Sequence, residues 1–283
     1  MIPAAFDYVR AATAAEAIGL LSENPDDAKL LAGGHSLIPT LKLRLASPSL
    51  LIDIRGIDDL KGIDIADGVR IGALCTHGQI YASQELHRIF PIFRQAADLI
   101  ADPQVRNRGT IGGSLANADP AADWPAVVMA MNAEIEVLGP RERRRIPARE
   151  FFLDIMTTAL GANEIVTAVY IPPPDGEIRA RYRKISHPAS GYAVVGVAAR
   201  LRIQDGQISS ASIGITGATG KAFEAAEAGA HLAGKAPTAR LIEDTASIAA
   251  DRSDYLADSY APAAYRKQLV KVETRRVLTE LLL

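Results

Sequence analysis

Two short segments built around paired glycines, Ala32–Ser36 and Thr110–Ser114, restrict the fold of this 283-residue chain more than any other feature. The first follows a predicted strand and precedes a predicted helix that Ser36 caps. The second lies within residues 102–123, whose content of Gly, Asn, Asp and Pro predicts a long functional loop. Glycine lacks a Cβ, so main-chain amides there can approach a ligand closely. We therefore predict two corners that grip a diphosphate, aided by the positive end of the helix that starts at Ser36.

The ligand should be larger than a simple phosphate. Each charge-assisted hydrogen bond contributes about 1.5–3 kcal/mol, and association costs about 4–15 kcal/mol of lost translational and rotational freedom. Stacking on the rest of the ligand must supply the difference, which favours a dinucleotide. One alternative stays open from the residues alone, since paired glycines are also typical of ordinary turns. The Gly-x-Gly-x-x-Gly fingerprint of the Rossmann fold is absent.

Two other patterns of catalytic type are incomplete. His35, Ser36 and Asp53 have the residue types of a hydrolase triad, but the Gly-x-Ser-x-Gly elbow is missing. His77 and His87 lie ten residues apart without further metal-ligand spacing, which favours structural roles for both. Neither hydrolysis nor metal binding is therefore predicted.

A proline run from Pro172 to Pro174, followed by Asp175 and Gly176, can continue neither a strand ladder nor a helix and predicts a domain boundary. After it, three predicted strands precede three Ala-rich helical patterns. This order is typical of an α+β domain with helices packed on one face of an antiparallel sheet. We predict three units, residues 1–56, 57–176 and 177–283.

The charge balance and the cysteine content limit the partners of the chain. Thirty-one Lys and Arg residues oppose 33 Asp and Glu residues, so the net charge of −2 gives no field that attracts nucleic acid or anionic lipid. Cys75 is the only cysteine, which excludes an internal disulfide and an iron–sulfur cluster held by the chain's own thiolates. No apolar run reaches the about 18 residues of a membrane span, and the first residues lack a secretion-signal core. We therefore expect a cytoplasmic protein without a membrane span.

Four longer stretches carry a resemblance to a known family. They are Ala-Gly-Gly-His-Ser at 32–36, Leu-Ile-Asp-Ile at 51–54, Ile-Ala-Asp-Pro-Gln-Val-Arg-Asn-Arg-Gly-Thr-Ile-Gly-Gly-Ser at 100–114, and Asn-Ala-Asp-Pro-Ala-Ala-Asp-Trp-Pro-Ala at 117–126. From Phe6 onward, the chain resembles the FAD-binding medium subunits of the molybdenum hydroxylases, the group of carbon monoxide dehydrogenase and the flavin domain of xanthine dehydrogenase. The resemblance implies an α+β fold of the PCMH type. Its parts are a small parallel-sheet subdomain, an antiparallel-sheet subdomain, and a C-terminal antiparallel sheet with a three-helix bundle.

The resemblance also implies which residues bind FAD. Both glycine segments hold the diphosphate, while Ile100 and Tyr192 lie beside the isoalloxazine. Asp123 hydrogen-bonds the sugar portion, Leu160 lies on the adenine side, and Lys184 or Arg183 supplies a basic contact. The implied family set contains no catalytic residue and no metal ligand, and its cofactor-binding members are Ala32, Gly33, Gly34, His35, Ser36, Leu37, Ile100, Thr110, Ile111, Gly112, Gly113, Ser114, Asp123, Leu160, Lys184 and Tyr192.

In the family that the chain resembles, the flavin subunit transfers electrons and does not hydroxylate substrate. The implied partners are a small subunit with two [2Fe–2S] clusters and a large subunit with the molybdopterin cofactor, assembled as a dimer of heterotrimers. Ser114 departs from the family, since carbon monoxide dehydrogenase-like chains often carry Asp there, and this leaves the substrate class open. Two alternatives are a stand-alone FAD-dependent oxidoreductase with its own small-molecule substrate and an assembly scaffold whose flavin site has decayed.

Overall fold

A computed structural model describes all residues from 1 to 283. Its strands are, in chain order, β1 (Asp7–Arg10), β2 (Ala28–Leu31), β3 (Leu50–Asp53), β4 (Ile63–Ala66), β5 (Gly68–Gly72), β6 (Glu134–Leu138), β7 (Arg143–Pro147), β8 (Phe152–Asp154), β9 (Thr157–Thr158), β10 (Ile165–Ile171), β11 (Glu177–Ser186), β12 (Ala193–Gln204), β13 (Gln207–Thr216) and β14 (Phe223–Glu224). Its helices are α1 (Ala14–Glu23), α2 (Leu37–Lys42), α3 (His77–Ala82), α4 (Gln84–Ile89), α5 (Ile92–Leu99), α6 (Pro103–Arg106), α7 (Ile111–Asn117), α8 (Asp123–Ala130), α9 (Ala148–Phe151), α10 (Ala226–Leu232), α11 (Ala239–Ala249) and α12 (Ala263–Leu282).

The first three strands form a parallel sheet in the order β1-β3-β2. Helix α1 packs its apolar face into the core beside this sheet. The helix begins after Thr13, whose hydroxyl accepts a hydrogen bond from the N–H of Glu16 at 3.1 Å and so satisfies one of the free donors of the first turn. The chain leaves β2 directly into the first glycine segment, which therefore lies at the carboxyl edge of the parallel sheet.

Five antiparallel strands form the second sheet, in the order β4-β5-β10-β6-β7. An Asp67-Gly68 turn joins β4 to β5, and Gly68 has a φ of +94°, a conformation that glycine tolerates and L side chains rarely adopt. The central strand β10 is buried along almost its whole length. Helix α8 is buried at every residue and shares one apolar core with this sheet.

The third sheet has the order β11-β12-β13-β14, and helices cover both of its faces. The sequence predicts helices on one face only. In fact Ala198 packs in the core that contains α8, whereas its neighbours Val197 and Ala199 pack in the core beneath α10, α11 and α12. Burial on both faces explains why β12 has an almost unbroken apolar run instead of an alternating one. Gly214 lets β13 approach α8, since an added Cβ would lie 2.9 Å from the carbonyl carbon of Ala126.

The predicted architecture is confirmed: a small parallel sheet, an antiparallel sheet, and a C-terminal antiparallel sheet with three helices, with the pairing now defined strand by strand. None of the helices combines the length and the apolar character that a membrane crossing requires.

Residues 102–123 do not form the long loop that the sequence predicts. They contain α6 and α7 and reach the first residue of α8. Asp102 caps α6 by accepting hydrogen bonds from two amides of its first turn, and Thr110 caps α7. The glycine content is misleading because Gly112 serves helix packing, since an added Cβ would lie 2.5 Å from the Cβ of Ala73. A tertiary contact thus places glycine in a helix, against its low helix propensity.

Candidate functional site

The two glycine segments meet, as predicted, and together line a cavity of about 440 Å³. Gly33 lies against the backbone of Arg108 and Gly109. A Cβ added to Gly33 would collide with the carbonyl oxygen of Arg108 and lie 2.9 Å from the Cα of Gly109. Glycine is therefore required here by the close approach of two backbones.

The first segment presents a row of unused main-chain donors. None of the six N–H groups from Ala32 to Leu37 donates a hydrogen bond within the protein, and all six residues line the cavity. Gly34 has a φ of +79°, which bends the chain in a way that side chains with a Cβ disfavour. Consecutive free amides at a bend of this kind are typical of an anion-binding site.

The helix that follows this segment is shorter than predicted and is not capped by Ser36. Helix α2 has six residues, and Ser36 itself has helical dihedral angles, φ −95° and ψ −47°. Its side chain forms no capping hydrogen bond. A cap requires an extended backbone, so this conformation turns the hydroxyl away from the amides of the first turn. The site therefore depends on the free amides and not on a long helix dipole.

The second glycine segment differs from the prediction, because its amides are already used. All four amides at the start of α7 donate within the protein over 2.9–3.2 Å, those of Ile111 to Cys75, Gly112 to Ala73, and Gly113 and Ser114 to Thr110. That this corner also holds the diphosphate therefore stays a prediction, and the amides from Ile111 to Ser114 are not free donors for it. The second segment still lines the cavity, through its glycines and the polar side chain of Ser114. Asn117, at the end of α7, lines it too.

A second cavity, of about 220 Å³, continues from the first. The two cavities share four polar lining residues, namely His35, Ser36, Ser114 and Asn117. The smaller cavity is also lined by Ile100, Asp123 and Tyr192, three residues that the family resemblance assigned to the site. The site is thus an elongated cleft whose free amides lie near the junction of its two halves.

Lys184 stabilises the wall of the smaller cavity although it does not line that cavity. Its ammonium group is fully buried and donates hydrogen bonds to the carbonyl oxygens of Leu99 at 2.7 Å and Gly191 at 2.9 Å. It also lies 2.9 Å from Oδ1 of Asp123, which accepts a further hydrogen bond from the hydroxyl of Tyr182 at 2.5 Å. All the donors of the ammonium thus have partners within the protein, so Lys184 positions the cleft wall.

Burial raises the pKa of Asp123, while the Lys184 ammonium and the hydrogen bond from Tyr182 act in the opposite direction. Burial, followed by the adjacent Asp123 charge, raises the pKa of Tyr182 well above its usual value. Tyr182 therefore stays a neutral donor to the carboxylate.

Three residues of the implied set line neither cavity, namely Ile111, Leu160 and Lys184. Ile111 is fully buried in the core, and Leu160 packs against the edge of the same core. The other residues of the set line one cavity or both.

Sequence reasoning missed His77, which lines the smaller cavity while only 6% of it is exposed. Its Nδ1 accepts a hydrogen bond from the indole N–H of Trp124 at 3.0 Å. Burial, aided by the neighbouring His35 and Arg106, lowers the pKa of His77 to about 4. No local sequence pattern marks His77, because its partner lies on α8 and only the tertiary fold joins the two.

The buried His77 makes stability depend on pH. Its pKa lies near 6.5 in the unfolded chain and near 4 in the folded one, so the unfolded chain binds more protons between these values. The stabilisation is complete above about pH 6.5 and is lost as the pH falls to about 4, by about 3 kcal/mol. Urea unfolding across this range should show the loss, and His77→Gln should flatten the curve while His87→Gln leaves it unchanged. Equal curves for wild type and His77→Gln would contradict the assignment.

Family models match nearly the whole chain. Residues 4–174 match the FAD binding domain in molybdopterin dehydrogenase, and residues 180–281 match the CO dehydrogenase flavoprotein C-terminal domain. FAD is therefore the cofactor of the matching domain.

Relatives and solved structures agree with these models over full length. The carbon monoxide dehydrogenase medium chain of Afipia carboxidovorans is 39% identical, over 98% of this chain and 97% of the relative. The nicotine 6-hydroxylase medium subunit of Paenarthrobacter nicotinovorans is 36% identical, over 98% of this chain and 97% of the relative. The structure of carbon monoxide dehydrogenase from Hydrogenophaga pseudoflava lacking the Mo-pyranopterin moiety of its molybdenum cofactor superposes with a TM-score of 0.96 and 37% identity, over 99% of this chain and 98% of that one.

Proposed function

The chain belongs to the FAD-binding medium subunits of the molybdenum hydroxylases, and from this premise we propose that it transfers electrons within a larger enzyme. It takes electrons from the [2Fe–2S] clusters of a small partner subunit and passes them to an external acceptor. The substrate is oxidised at the molybdopterin cofactor of a large partner subunit. The observation that carries this proposal is the cleft with free amides near the junction of its two halves, which fits FAD by its shape and by its donors.

The cleft fits FAD by shape and by donor chemistry. FAD has a central diphosphate, and the free amides from Ala32 to Leu37 lie near the junction of the two cavities. We place the diphosphate there, the adenosine in the larger cavity, the isoalloxazine beside Ile100 and Tyr192, and the sugar portion of the flavin half near Asp123. Bound FAD supplies the redox chemistry, while the protein positions it and excludes competing reactions. Lys184, Leu160 and Ile111 support the cleft from behind in this placement.

The titratable groups of the smaller cavity favour electron transfer over independent substrate chemistry. The carboxylate of Asp123 is held by Lys184 and Tyr182, and Nδ1 of His77 is held by Trp124. A general base needs an accessible lone pair within hydrogen-bond reach of the substrate proton. The acceptor atoms of the buried groups in this wall already have partners within the protein. Electron transfer through bound FAD requires none of these groups as an acid or a base. A stand-alone oxidoreductase acting on its own substrate is therefore the weaker candidate.

The partners follow from the single cysteine and from the relatives. Cys75 is buried and donates to the carbonyl oxygen of Gly62, and the structure contains no group of His, Cys, Asp and Glu able to hold a metal. These observations support iron–sulfur clusters and molybdenum held by other chains, as in a dimer of heterotrimers. We propose a cytoplasmic assembly of this kind for this chain.

We also propose a division of the chain into units 1–56, 57–176 and 177–283, because each sheet falls within one unit.

Flavin reduction tests this proposal. The FAD-loaded chain is mixed in a stopped-flow instrument with a chemically reduced [2Fe–2S] small subunit of this family, and the visible flavin absorbance is followed. We expect rapid bleaching with the reduced subunit and none with its oxidised form. Absence of bleaching, with efficient bleaching by a small-molecule substrate in the absence of any partner chain, would instead favour the stand-alone oxidoreductase. Failure of the chain to bind FAD at all would favour the decayed scaffold.

A further inference from the structure

We propose that His77 is a positioning residue for FAD, and that its Nε2–H donates a hydrogen bond to an oxygen of the ribityl–diphosphate portion of the cofactor. This inference rests on the placement of FAD proposed above. No resemblance or sequence pattern assigns His77 to the site.

The contact with Trp124 determines which ring nitrogen of His77 carries the proton. An indole N–H can only donate, so Nδ1 of His77 must be the acceptor in the 3.0 Å hydrogen bond. In a neutral imidazole the proton is then on Nε2. Burial keeps the ring neutral over the physiological pH range, since its pKa is lowered to about 4. The ring therefore offers one fixed N–H donor.

That donor has no partner within the protein. The hydrogen bond from Trp124 is the only one that the side chain of His77 forms, and Nε2 does not belong to the fully enclosed unpartnered atoms. Since His77 lines the smaller cavity and is otherwise buried, the cleft is where Nε2 can meet an acceptor. Gly109 keeps this edge of the ring uncovered, because an added Cβ there would lie 2.6 Å from Nε2. A buried donor aimed into a ligand cleft requires an acceptor.

The neighbours of His77 identify the part of FAD that supplies the acceptor. His35, Ser36 and Ser114 line the smaller cavity with His77 and also line the larger one, so His77 lies close to the junction. In the proposed placement this junction holds the diphosphate and the adjoining ribityl chain, both of which are rich in oxygen acceptors.

The ring is also held rigidly, which suits a positioning role. His77 is the first residue of α3, after a capping box formed by Thr76 and Gln79. Its main-chain N–H donates to the carbonyl oxygen of Gly109 at 2.9 Å. On α8, Trp124 is fully buried and stacks on Phe93, with ring centroids 6.1 Å apart. Little conformational freedom is then lost when the donor binds its acceptor.

Two measurements on the full chain test the proposal. The first follows the imidazole ¹⁵N resonances of His77 while FAD is added, and needs no variant. Before addition, we expect a protonated Nε2 and an unprotonated Nδ1. On addition, the Nε2–H signal should shift as it forms the new hydrogen bond, and the Nδ1 signal should keep its acceptor character. An unchanged Nε2 signal in the FAD complex would overturn the proposal.

The second measurement is the dissociation constant of FAD, from quenching of flavin fluorescence. His77→Leu should weaken FAD binding about ten- to a hundredfold, because one donor to a charged or strongly polar oxygen is lost. His77→Gln keeps a side-chain N–H and should retain most of the affinity, which a purely structural role would not predict. His87→Leu is the matched control, since that ring bonds Ile80 outside the cleft, and it should bind FAD as wild type does.

The outcomes separate this inference from the proposed function. Wild-type chain that fails to bind FAD would contradict the proposed function itself. Wild-type chain that binds FAD, with equal affinities for His77→Leu, His77→Gln and wild type, would contradict only the role of His77.

Discussion

Replacing Gly33 with alanine should weaken FAD binding by about a hundredfold, which corresponds to the loss of one or two charge-assisted hydrogen bonds. The added methyl group would collide with the carbonyl oxygen of Arg108. Because both partners of this contact are backbone, the collision is relieved only if the two glycine segments move apart. The free amides from Ala32 to Leu37 then leave the positions in which they face one anion together. The measurement is a fluorescence titration of the full chain with FAD.

A matched substitution separates this local effect from the general effect of removing glycine. Gly19 lies within α1, and an added Cβ there would meet no atom within 4 Å. Gly19→Ala should therefore leave FAD affinity unchanged and stabilise the chain by up to about 1 kcal/mol, because alanine is the better helix former. Wild-type FAD affinity in folded Gly33→Ala would contradict the assignment of the first segment to the diphosphate.

Replacing Lys184 with methionine should lower the free energy of unfolding by about 3–5 kcal/mol, the usual effect of leaving a buried charge without its partner. The ammonium is fully buried and holds Asp123 together with the carbonyl oxygens of Leu99 and Gly191. Leu99 and Gly191 directly precede Ile100 and Tyr192, and both of these residues line the smaller cavity, as Asp123 does. The variant should therefore also lose FAD affinity, measurable in the same titration, while urea unfolding reports the stability.

Two further variants test the physical cause of this effect. Adding Asp123→Asn to Lys184→Met removes the uncompensated charge and should recover a large part of the lost stability, since the amide oxygen still accepts from Tyr182. Lys271→Met breaks an ion pair with Glu243 that is exposed to solvent, and should leave the urea unfolding midpoint close to that of wild type. Equal losses for Lys184→Met and Lys271→Met would show that the buried network contributes nothing beyond a surface ion pair.

The sequence predicts the large features of this fold because they depend on local patterns. Three strands and then three helices follow the proline run, as predicted, and they appear as β11, β12 and β13 and as α10, α11 and α12. Residues 102–123 are wrongly predicted to form a loop because α7 contains paired glycines, a composition typical of a loop. Its helix forms because Gly112 packs on Ala73, a contact between residues far apart in the sequence.

For the site, as for the fold, the sequence predicts local features but not those that depend on contacts between distant residues. The two glycine segments line one cavity, but the sequence does not reveal which of their amides are free. That question depends on where Ala73 and Cys75 place their carbonyl oxygens, which bind the amides of α7. In the same way, the burial of Lys184 and the contact of His77 with Trp124 result from packing between elements distant in sequence. Lys184 therefore holds the cleft wall from outside both cavities, and His77, for which the sequence favours a structural role, lines the cleft.

The central claim is that the free amides of the first glycine segment hold the diphosphate of FAD, and a crystal structure of the FAD-loaded chain tests it most directly. We expect diphosphate oxygens at about 2.7–3.2 Å from main-chain nitrogens between Ala32 and Leu37. The amides of Ile111 to Ser114 should keep their present partners within the protein. A diphosphate bound elsewhere in the chain, with the amides of the first segment in contact with water alone, would contradict the claim.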